Sequence, residues 1–244
     1  THPLSSARID HVRNHVEEST IPKGQYPKSY DVLHQRMVAK LYGFLESPEH
    51  TLQKYPLSNK SVAGRLARAI AYYKMPDVEK SMVEMDSLLK EAPNDPFFHE
   101  LKGQILFENG RVADALASYE KAVALLPDSP LILSDLAKVE LAQPEPKARS
   151  AVSHLEKANG LDNTNPDTWH MLAVAYGKTG NLGMSALAQA EESSLLADYK
   201  TALAQVNQAL TLLKESTPAR QRAQDLKAVA IEMERKAKEG ESLF

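Results

Sequence analysis

The sequence contains no cysteine among its 244 residues. This absence excludes disulfides, Cys-ligated zinc, iron–sulfur clusters and thiol nucleophiles. It fits a periplasmic and a cytosolic protein equally, because neither setting requires disulfides. No apolar run approaches the roughly 18 residues that a membrane-spanning helix needs, so we expect no transmembrane segment. The chain starts at Thr1 without a signal-peptide pattern, and we expect that an upstream segment is missing.

Neither sign of charge dominates the composition, which has 29 Lys and Arg against 32 Asp and Glu. This balance argues against a nucleic-acid binder held mainly by positive charge. The charges are unevenly placed, since residues 1–76 hold 11 basic and 6 acidic side chains and residues 77–128 hold 5 basic and 11 acidic ones. Solvated helix faces are one explanation. The other is a basic N-terminal part that packs on an acidic catalytic domain or meets a charged partner.

Strand signals are also scarce, because no stretch alternates apolar and polar residues between hairpin turns. Apolar residues recur instead at helical spacing, for example at Leu33, Met37, Leu41 and Leu45. The fold is therefore predicted to be all-α. Prolines divide the chain into predicted helices over 4–18, 28–46 and 218–238, and a loose stretch over 48–56.

The proline-containing breaks recur with a period of 34 residues, which separates Pro93 from Pro127 and Pro96 from Pro130. A fixed period of this length indicates a repeat architecture with one helical hairpin per unit. Within the unit 96–129, small residues are expected to let two antiparallel helices pack closely beside a tyrosine ring. These residues are Gly103, Ala115, Ala122 and Tyr119, with Asn109-Gly110 as the turn between the helices.

The repeat unit resembles the tetratricopeptide repeat (TPR) in both of its halves. The two resembling stretches are Trp169-(2)-Leu172-Ala173-(2)-Tyr176 and Ala115-(3)-Tyr119-(2)-Ala122-(4)-Pro127. The resemblance implies an α-solenoid, a right-handed superhelix of helix pairs, that binds proteins or peptides. We expect an N-terminal helical segment at 1–61, TPR-like repeats at 62–213, and a capping helix with a tail at 214–244.

The end of the predicted solenoid departs from the regular pattern. The helix over 183–196 is expected to serve twice, as the second helix of one pair and as the first helix of a final pair with 199–213. Each pair in a solenoid buries its apolar face only against its neighbours, so the last pair needs a cap. The helix over 218–238 is predicted to provide that cap through Leu226, Val229, Ala230 and Met233.

A second resemblance concerns the opening Thr1-His2-Pro3, the following Ser5–Ile9, and the stretches 67–73 and 96–106. They are similar to the C-terminal TPR region of bacterial CaaX-protease-like (Ste-type) zinc metallopeptidases, which include the β-barrel assembly-enhancing protease type. The resemblance implies a periplasmic protein that acts in outer-membrane protein quality control, with a cytoplasmic location as the alternative. It implies as partners protein or peptide clients, the protein's own protease domain and the outer-membrane assembly machinery.

The sequence lacks His-Glu-x-x-His, the motif that holds zinc and the general base in such enzymes. We expect no peptidase activity, no catalytic residue and no cofactor in this chain, with zinc held by a catalytic domain upstream. His11 and His15 have a zinc-compatible spacing, but Val12 stands at the general-base position and no third ligand follows. A solvated helix face is therefore preferred there. For His2, the resemblance implies a loop near the zinc of the missing domain, and the alternative is a linker residue.

The first helices of the pairs are expected to line a concave face, where a partner binds. From the motif register, this row comprises Tyr73, Glu100, Gln104, Phe107, Ser134, Lys138, His170 and Val174. Such mixed aromatic, polar and charged side chains suit an extended peptide or a helix of a partner. The leading hypothesis is the recognition part of an envelope zinc metallopeptidase. The alternative is a free-standing TPR adaptor without a link to proteolysis.

Overall fold

The computed structural model describes residues 5–20, 27, 29–143 and 147–239. Within these ranges the chain forms thirteen α-helices and no strand. The helices are α1 Ser5–Glu18, α2 Ser29–Leu45, α3 Pro48–Lys54, α4 Val62–Lys74, α5 Val78–Glu91, α6 Pro96–Glu108, α7 Val112–Leu125, α8 Pro130–Leu141, α9 Ala148–Leu161, α10 Pro166–Lys178, α11 Leu182–Leu195, α12 Tyr199–Leu212 and α13 Pro218–Glu239. None of these described helices combines the length and the apolar character that crossing a membrane requires.

Four successive helix pairs form a TPR-like solenoid: α4 with α5, α6 with α7, α8 with α9, and α10 with α11. Their buried side chains form consecutive clusters along the chain, so each pair shares its apolar core with its neighbours. The all-α TPR solenoid that the 34-residue period predicts is confirmed.

Small residues set the distance between the two helices of each pair. A Cβ atom at Gly103 would lie only 2.7 Å from Cδ2 of Tyr119, so the backbone of α6 rests directly on that ring. The turn that follows α6 contains Gly110, whose φ of +76° favours glycine. In the first and fourth pairs a serine hydroxyl donates to an alanine carbonyl at 2.8 Å, Ser81 to Ala69 and Ser185 to Ala173.

The segment 48–56 was predicted to be loose, and that prediction is wrong for most of its length, because it contains α3. The side chain of Ser47 caps this helix by accepting a hydrogen bond from the backbone N–H of His50 at 3.2 Å. Pro48 then occupies the first helical turn, where its missing N–H leaves no partner unsatisfied. A proline after a serine therefore starts a helix here and does not interrupt one.

The C-terminal end of the solenoid is built around α11, which packs against α10, α12 and α13. This is the double role expected for the helix over 183–196. The last helix α13 closes the array by burying Ala223, Leu226 and Ala230. Val229 was predicted to face inward but is exposed, because it lies outside the buried stripe that these three residues form on α13.

The N-terminal helix α2 packs on α4 through small residues. Ala39 and Gly43 are buried, and a Cβ at Gly43 would lie 3.0 Å from Cβ of Ile70. The apolar row that marks this helix in the sequence is exposed instead. It consists of Leu33, Met37, Leu41 and Leu45.

The close contact between α6 and α7 provides a test of the repeat register. Ala115 is fully buried in this contact, so Ala115→Leu should overpack it and lower the free energy of unfolding by about 1–3 kcal/mol. Ala117→Leu is the matched control, because Ala117 is exposed on the same helix. Thermal unfolding of both variants should show a loss only for Ala115→Leu, and equal midpoints would contradict the register.

Candidate functional site

The eight residues predicted to line the concave face lie on the first helices of the four pairs, α4, α6, α8 and α10. Lys138, His170 and Val174 are exposed, and Tyr73, Gln104 and Phe107 are half-buried. Glu100 and Ser134 are buried, with 5% of each residue exposed. These two residues therefore contribute to the packing and the charge beneath the face, and not to an open surface.

Tyr73 and Gln104 converge on one carboxylate, that of Glu108. The hydroxyl of Tyr73 donates to Glu108 Oε2, and the Gln104 amide donates to Glu108 Oε1 at 3.0 Å. Burial and the neighbouring Glu108 raise the pKa of Tyr73 to about 12. The tyrosine therefore stays protonated near neutral pH and links α4 to α6 at this face.

Phe107 and Lys138 form the next contact along the row. The Lys138 ammonium lies 5.4 Å from the centre of the Phe107 ring, a cation–π arrangement that joins α6 to α8. Because Lys138 is exposed and has a flexible stem, it can move aside and uncover the ring for a partner. Phe107 thus presents a half-buried aromatic ring at this face.

Three carboxylates make this part of the face acidic: Glu100 and Glu108 on α6 and Asp135 on α8. Burial raises the pKa of Asp135 to about 6, and repulsion by Glu100 and Glu108 acts in the same direction, against the opposite pull of Lys138 and Lys40. Burial also raises the pKa of Glu100. A face with this electrostatic character attracts basic side chains of a partner.

The chain's own helix α2 covers the start of this face. Arg36 on α2 pairs with Asp95 at 2.7 Å, and its guanidinium carbon lies 4.3 Å from the centre of the Phe98 ring. Lys40 on α2 reaches the buried carboxylate of Glu100 at 3.5 Å. The surface near Glu100 is therefore occupied by basic side chains of the same chain.

The end of α2 is held by a lysine from α4. Lys74 Nζ donates to the carbonyls of Gly43 at 3.3 Å, Phe44 at 2.8 Å and Glu46 at 2.5 Å. A cation at the carbonyl end of a helix interacts favourably with the helix dipole. The ring of Phe44 also meets Tyr73 edge-on, with 6.5 Å between the ring centres.

Sequence reasoning missed the contact of α2 with α6, although the signal was present in the charge distribution. Residues 1–76 are net basic and residues 77–128 are net acidic. Two of the basic residues, Arg36 and Lys40, pair with Asp95 and Glu100 of the acidic segment. Part of the charge imbalance is therefore neutralised by ion pairs within the chain. Neither of the two explanations drawn from the sequence, solvated helix faces or an external charged partner, includes such pairs.

The far end of the row is polar and open. His170 Nδ1 lies 3.1 Å from the carboxylate oxygens of Glu192 on α11. The buried hydroxyls of Ser134 and Thr168 are hydrogen-bonded at 3.1 Å and join α8 to α10. His170 and Val174 line a pocket of about 510 Å³ that α10, α11 and α12 share.

His11 and His15, whose spacing is compatible with zinc, are not part of a metal centre among the described residues. The rings of His11 and His15 stack with 6.4 Å between their centres on α1. No three His, Cys, Asp or Glu side chains come together as metal ligands within the described ranges. His2 lies outside the described residues.

Comparison with known proteins places the fold among TPR proteins. Residues 103–143 match the TPR repeat family. The β-barrel assembly-enhancing protease of Yersinia pestis is 23% identical over 221 residues, which cover 88% of this chain and 44% of that protein. The chain therefore spans less than half the length of this curated relative.

Solved TPR structures show the same fold. A MamA double mutant has a TM-score of 0.58 at 19% identity, with 68% of this chain and 95% of that chain covered. YrrB, described as a TPR protein with an unusual peptide-binding site, has a TM-score of 0.55 at 16% identity, covering 72% and 92%. PilF of Pseudomonas aeruginosa has a TM-score of 0.52 at 19% identity, covering 82% and 99%. These neighbours show that the chain shares the fold of a TPR-type helical array.

The acidic part of the face predicts a specific pH dependence of stability. Because the pKa of Asp135 is raised from 3.8 to about 6, the unfolded chain loses this proton before the folded protein does as the pH rises. The stability of the fold therefore falls as the pH rises from about 4 to 6, and the full loss remains above pH 6. Asp135→Asn should raise the melting temperature at pH 7.5, and this gain should vanish near pH 4.

The control for this measurement is Asp86→Asn, since Asp86 is exposed and its carboxylate pairs with Lys102. It should give no gain in melting temperature at pH 7.5. A pH-independent effect of Asp135→Asn, or a loss of stability at pH 7.5, would contradict the raised pKa.

Proposed function

We propose that this chain is the recognition part of an envelope zinc metallopeptidase and that it binds protein or peptide clients on the face formed by its first helices. The observation that carries the proposal is that Tyr73 and Phe107 share one face of the first helices with the acidic groups Glu108 and Asp135. Aromatic anchors in a partly enclosed surface dominate binding energy, and the carboxylates favour a client segment with Lys or Arg.

The helix α2 illustrates the chemistry that this face accepts. It meets the face with Arg36 and Lys40, which are paired to Asp95 and Glu100. A client helix or extended segment with basic residues would use the same type of contact further along, near Asp135 and Glu108. His170 and Glu192, at the far end, would orient the remainder of the client.

The link to proteolysis rests on two supports. The opening Thr1-His2-Pro3 is similar to the segment that follows the catalytic domain in CaaX-protease-like metallopeptidases, and a β-barrel assembly-enhancing protease is a distant relative over 88% of this chain. In this proposal the zinc and the general base belong to a domain upstream of Thr1, and the whole protein works in the periplasm on outer-membrane proteins. The partners would be clients, that protease domain and the outer-membrane assembly machinery.

Client binding can be tested by removing both aromatic anchors. Tyr73→Ala with Phe107→Ala should weaken binding of a urea-unfolded outer-membrane β-barrel protein by about 2 kcal/mol, or roughly 30-fold, with helical content unchanged. The matched control is Val83→Ala with Lys121→Ala, because both residues are exposed on the second helices α5 and α7. Binding measured by calorimetry or crosslinking should fall only for the first pair. Equal losses from both pairs would remove the first-helix face from the mechanism.

The link to a protease has its own test. The gene sequence upstream of Thr1 should encode a signal peptide and a His-Glu-x-x-His motif, and the longer protein should hold one zinc per chain by metal analysis. The chain 1–244 alone should hold no stoichiometric zinc and cleave no peptide. An initiator Met directly before Thr1 would instead indicate the free-standing TPR adaptor.

A further inference from the structure

The carboxylate of Asp135 on α8 differs from the enclosed carboxylates that have partners within the chain. Glu84 pairs with Arg68, and Glu191 pairs with Arg222. Asp135 is half-buried, and neither a hydrogen bond nor an ion pair within 4 Å joins it to another described residue. Its oxygens are not among the unpaired polar atoms that are closed off from solvent, so a ligand can reach them. Asp135 is thus an accessible charge without a partner.

Asp135 lies at the face formed by the first helices. It follows Ser134 and precedes Lys138 by one helical turn, and both of these residues belong to the predicted row. Glu100 and Glu108 of the neighbouring first helix α6 repel the Asp135 carboxylate, which places it within electrostatic reach of α6. An arriving client would therefore meet this charge on the same face as the aromatic rings.

The lysine nearest in sequence does not neutralise Asp135. Lys138 attracts the carboxylate through space, but it makes no hydrogen bond to it. Its ammonium lies 5.4 Å from the centre of the Phe107 ring. An ammonium is a compact charge that cannot cover a ring and pair with a separate carboxylate at the same time. Here it contacts the ring, and the carboxylate keeps its charge uncompensated.

The chain itself shows which side chain can satisfy both a carboxylate and a ring. Arg36 of α2 pairs with Asp95 at 2.7 Å, and its guanidinium carbon lies 4.3 Å from the centre of the Phe98 ring. A planar guanidinium bonds a carboxylate through its edge and stacks on an aromatic ring through its face. Asp135 and Phe107 offer the same two kinds of group further along the face, and no arginine of the described chain pairs with this Asp.

From these features we infer that Asp135 is a specificity-determining residue of the first-helix face, which pairs with one arginine of a client segment while the guanidinium of that arginine displaces Lys138 from the ring of Phe107. The inference rests on the proposed function and deepens it, because it assigns the choice of client to one carboxylate and one type of side chain. A client lysine would gain less, since it cannot pair and stack at once.

This pairing depends on pH, because only the ionised carboxylate attracts a guanidinium. Burial raises the pKa of Asp135 to about 6, so below pH 6 binding has to release its proton to the solvent. The preference for arginine should therefore grow roughly tenfold between pH 5 and pH 7.5. The titratable and charged groups of α6, α8, α2 and α7 that act with Asp135 are Glu100, Glu108, Lys138, Lys40 and Tyr119.

The experiment compares three blocked nonapeptides that differ only at the central residue, which is Arg, Lys or the uncharged isostere citrulline, with Leu and Ser on both sides. Calorimetry with the full chain 1–244 at pH 7.5 should give the highest affinity for the Arg peptide. Its affinity should exceed that of the citrulline peptide by about tenfold. At pH 5 the two affinities should be nearly equal.

Three variants assign this preference to Asp135. Asp135→Asn should make the Arg and citrulline peptides bind equally at both pH values, and it should fold, since its melting temperature is expected to rise at pH 7.5. Lys138→Met removes the competing cation, so the affinity for the Arg peptide should rise by about threefold. Asp86→Asn on the second helix α5 is the matched control and should keep the full preference.

Several results would overturn the inference. One is equal affinity of the parent chain for the Arg and citrulline peptides, or no heat from any peptide up to about 1 mM. Another is a preference for Arg that survives in Asp135→Asn or does not change with pH. Weaker binding of the Arg peptide to Lys138→Met would also contradict the displacement of Lys138.

The unfolded outer-membrane β-barrel protein separates this inference from the proposed function. If that protein binds the parent chain and Asp135→Asn equally and needs Tyr73 and Phe107, the proposed function stands and the role of Asp135 is overturned. If the Arg peptide binds through Asp135 but the unfolded protein does not bind, the arginine subsite is supported and the proposed client class is wrong.

Discussion

The close approach of the two helices within each pair is the constraint on which the rest of the structure depends. In the first and fourth pairs Ser81 and Ser185 bond the backbone carbonyls of Ala69 and Ala173 on the partner helix. In the second pair Gly103 lies on the ring of Tyr119, and in the third the small residues Ala137 and Ala151 are fully buried in one cluster. Only small side chains allow two helix backbones to approach so closely, and the larger residues then fill the space between successive pairs. The spacing of the first helices, and hence of the row of side chains on them, follows from this contact.

The repeat fold was predictable because this contact leaves a pattern in the sequence. The 34-residue period, the proline after each break and Gly103 with Tyr119 all reflect local requirements of a helical hairpin. The third repeat carries a two-residue insertion between Ala137 and Ala151. The insertion lies in the loop between α8 and α9, and both alanines remain fully buried. Local steric rules were therefore sufficient for the repeats. These rules failed at α3, because Pro48 was expected to open a loose stretch and instead begins a helix.

The candidate binding surfaces were less predictable, because they depend on contacts between residues far apart in the chain. The register predicted a row from Tyr73 to Val174, but it gave no indication that Glu100 and Ser134 are buried or that α2 reaches α6. It also gave no indication that Arg222 of α13 pairs with Glu191 of α11. Periodicity describes neighbours in sequence, whereas these contacts join helices that lie far apart in the chain.

The double use of α11 has a consequence for how such a chain can change length. Up to α9 the array advances by whole pairs, so the insertion or deletion of one 34-residue unit leaves every remaining helix with its partner. The helix α11 instead packs against α10, α12 and α13, so removing any two of these four helices would leave an apolar face without its partner. Gain or loss of whole repeats is therefore compatible with this architecture upstream of α10, and the helices from α10 to α13 form one terminal unit.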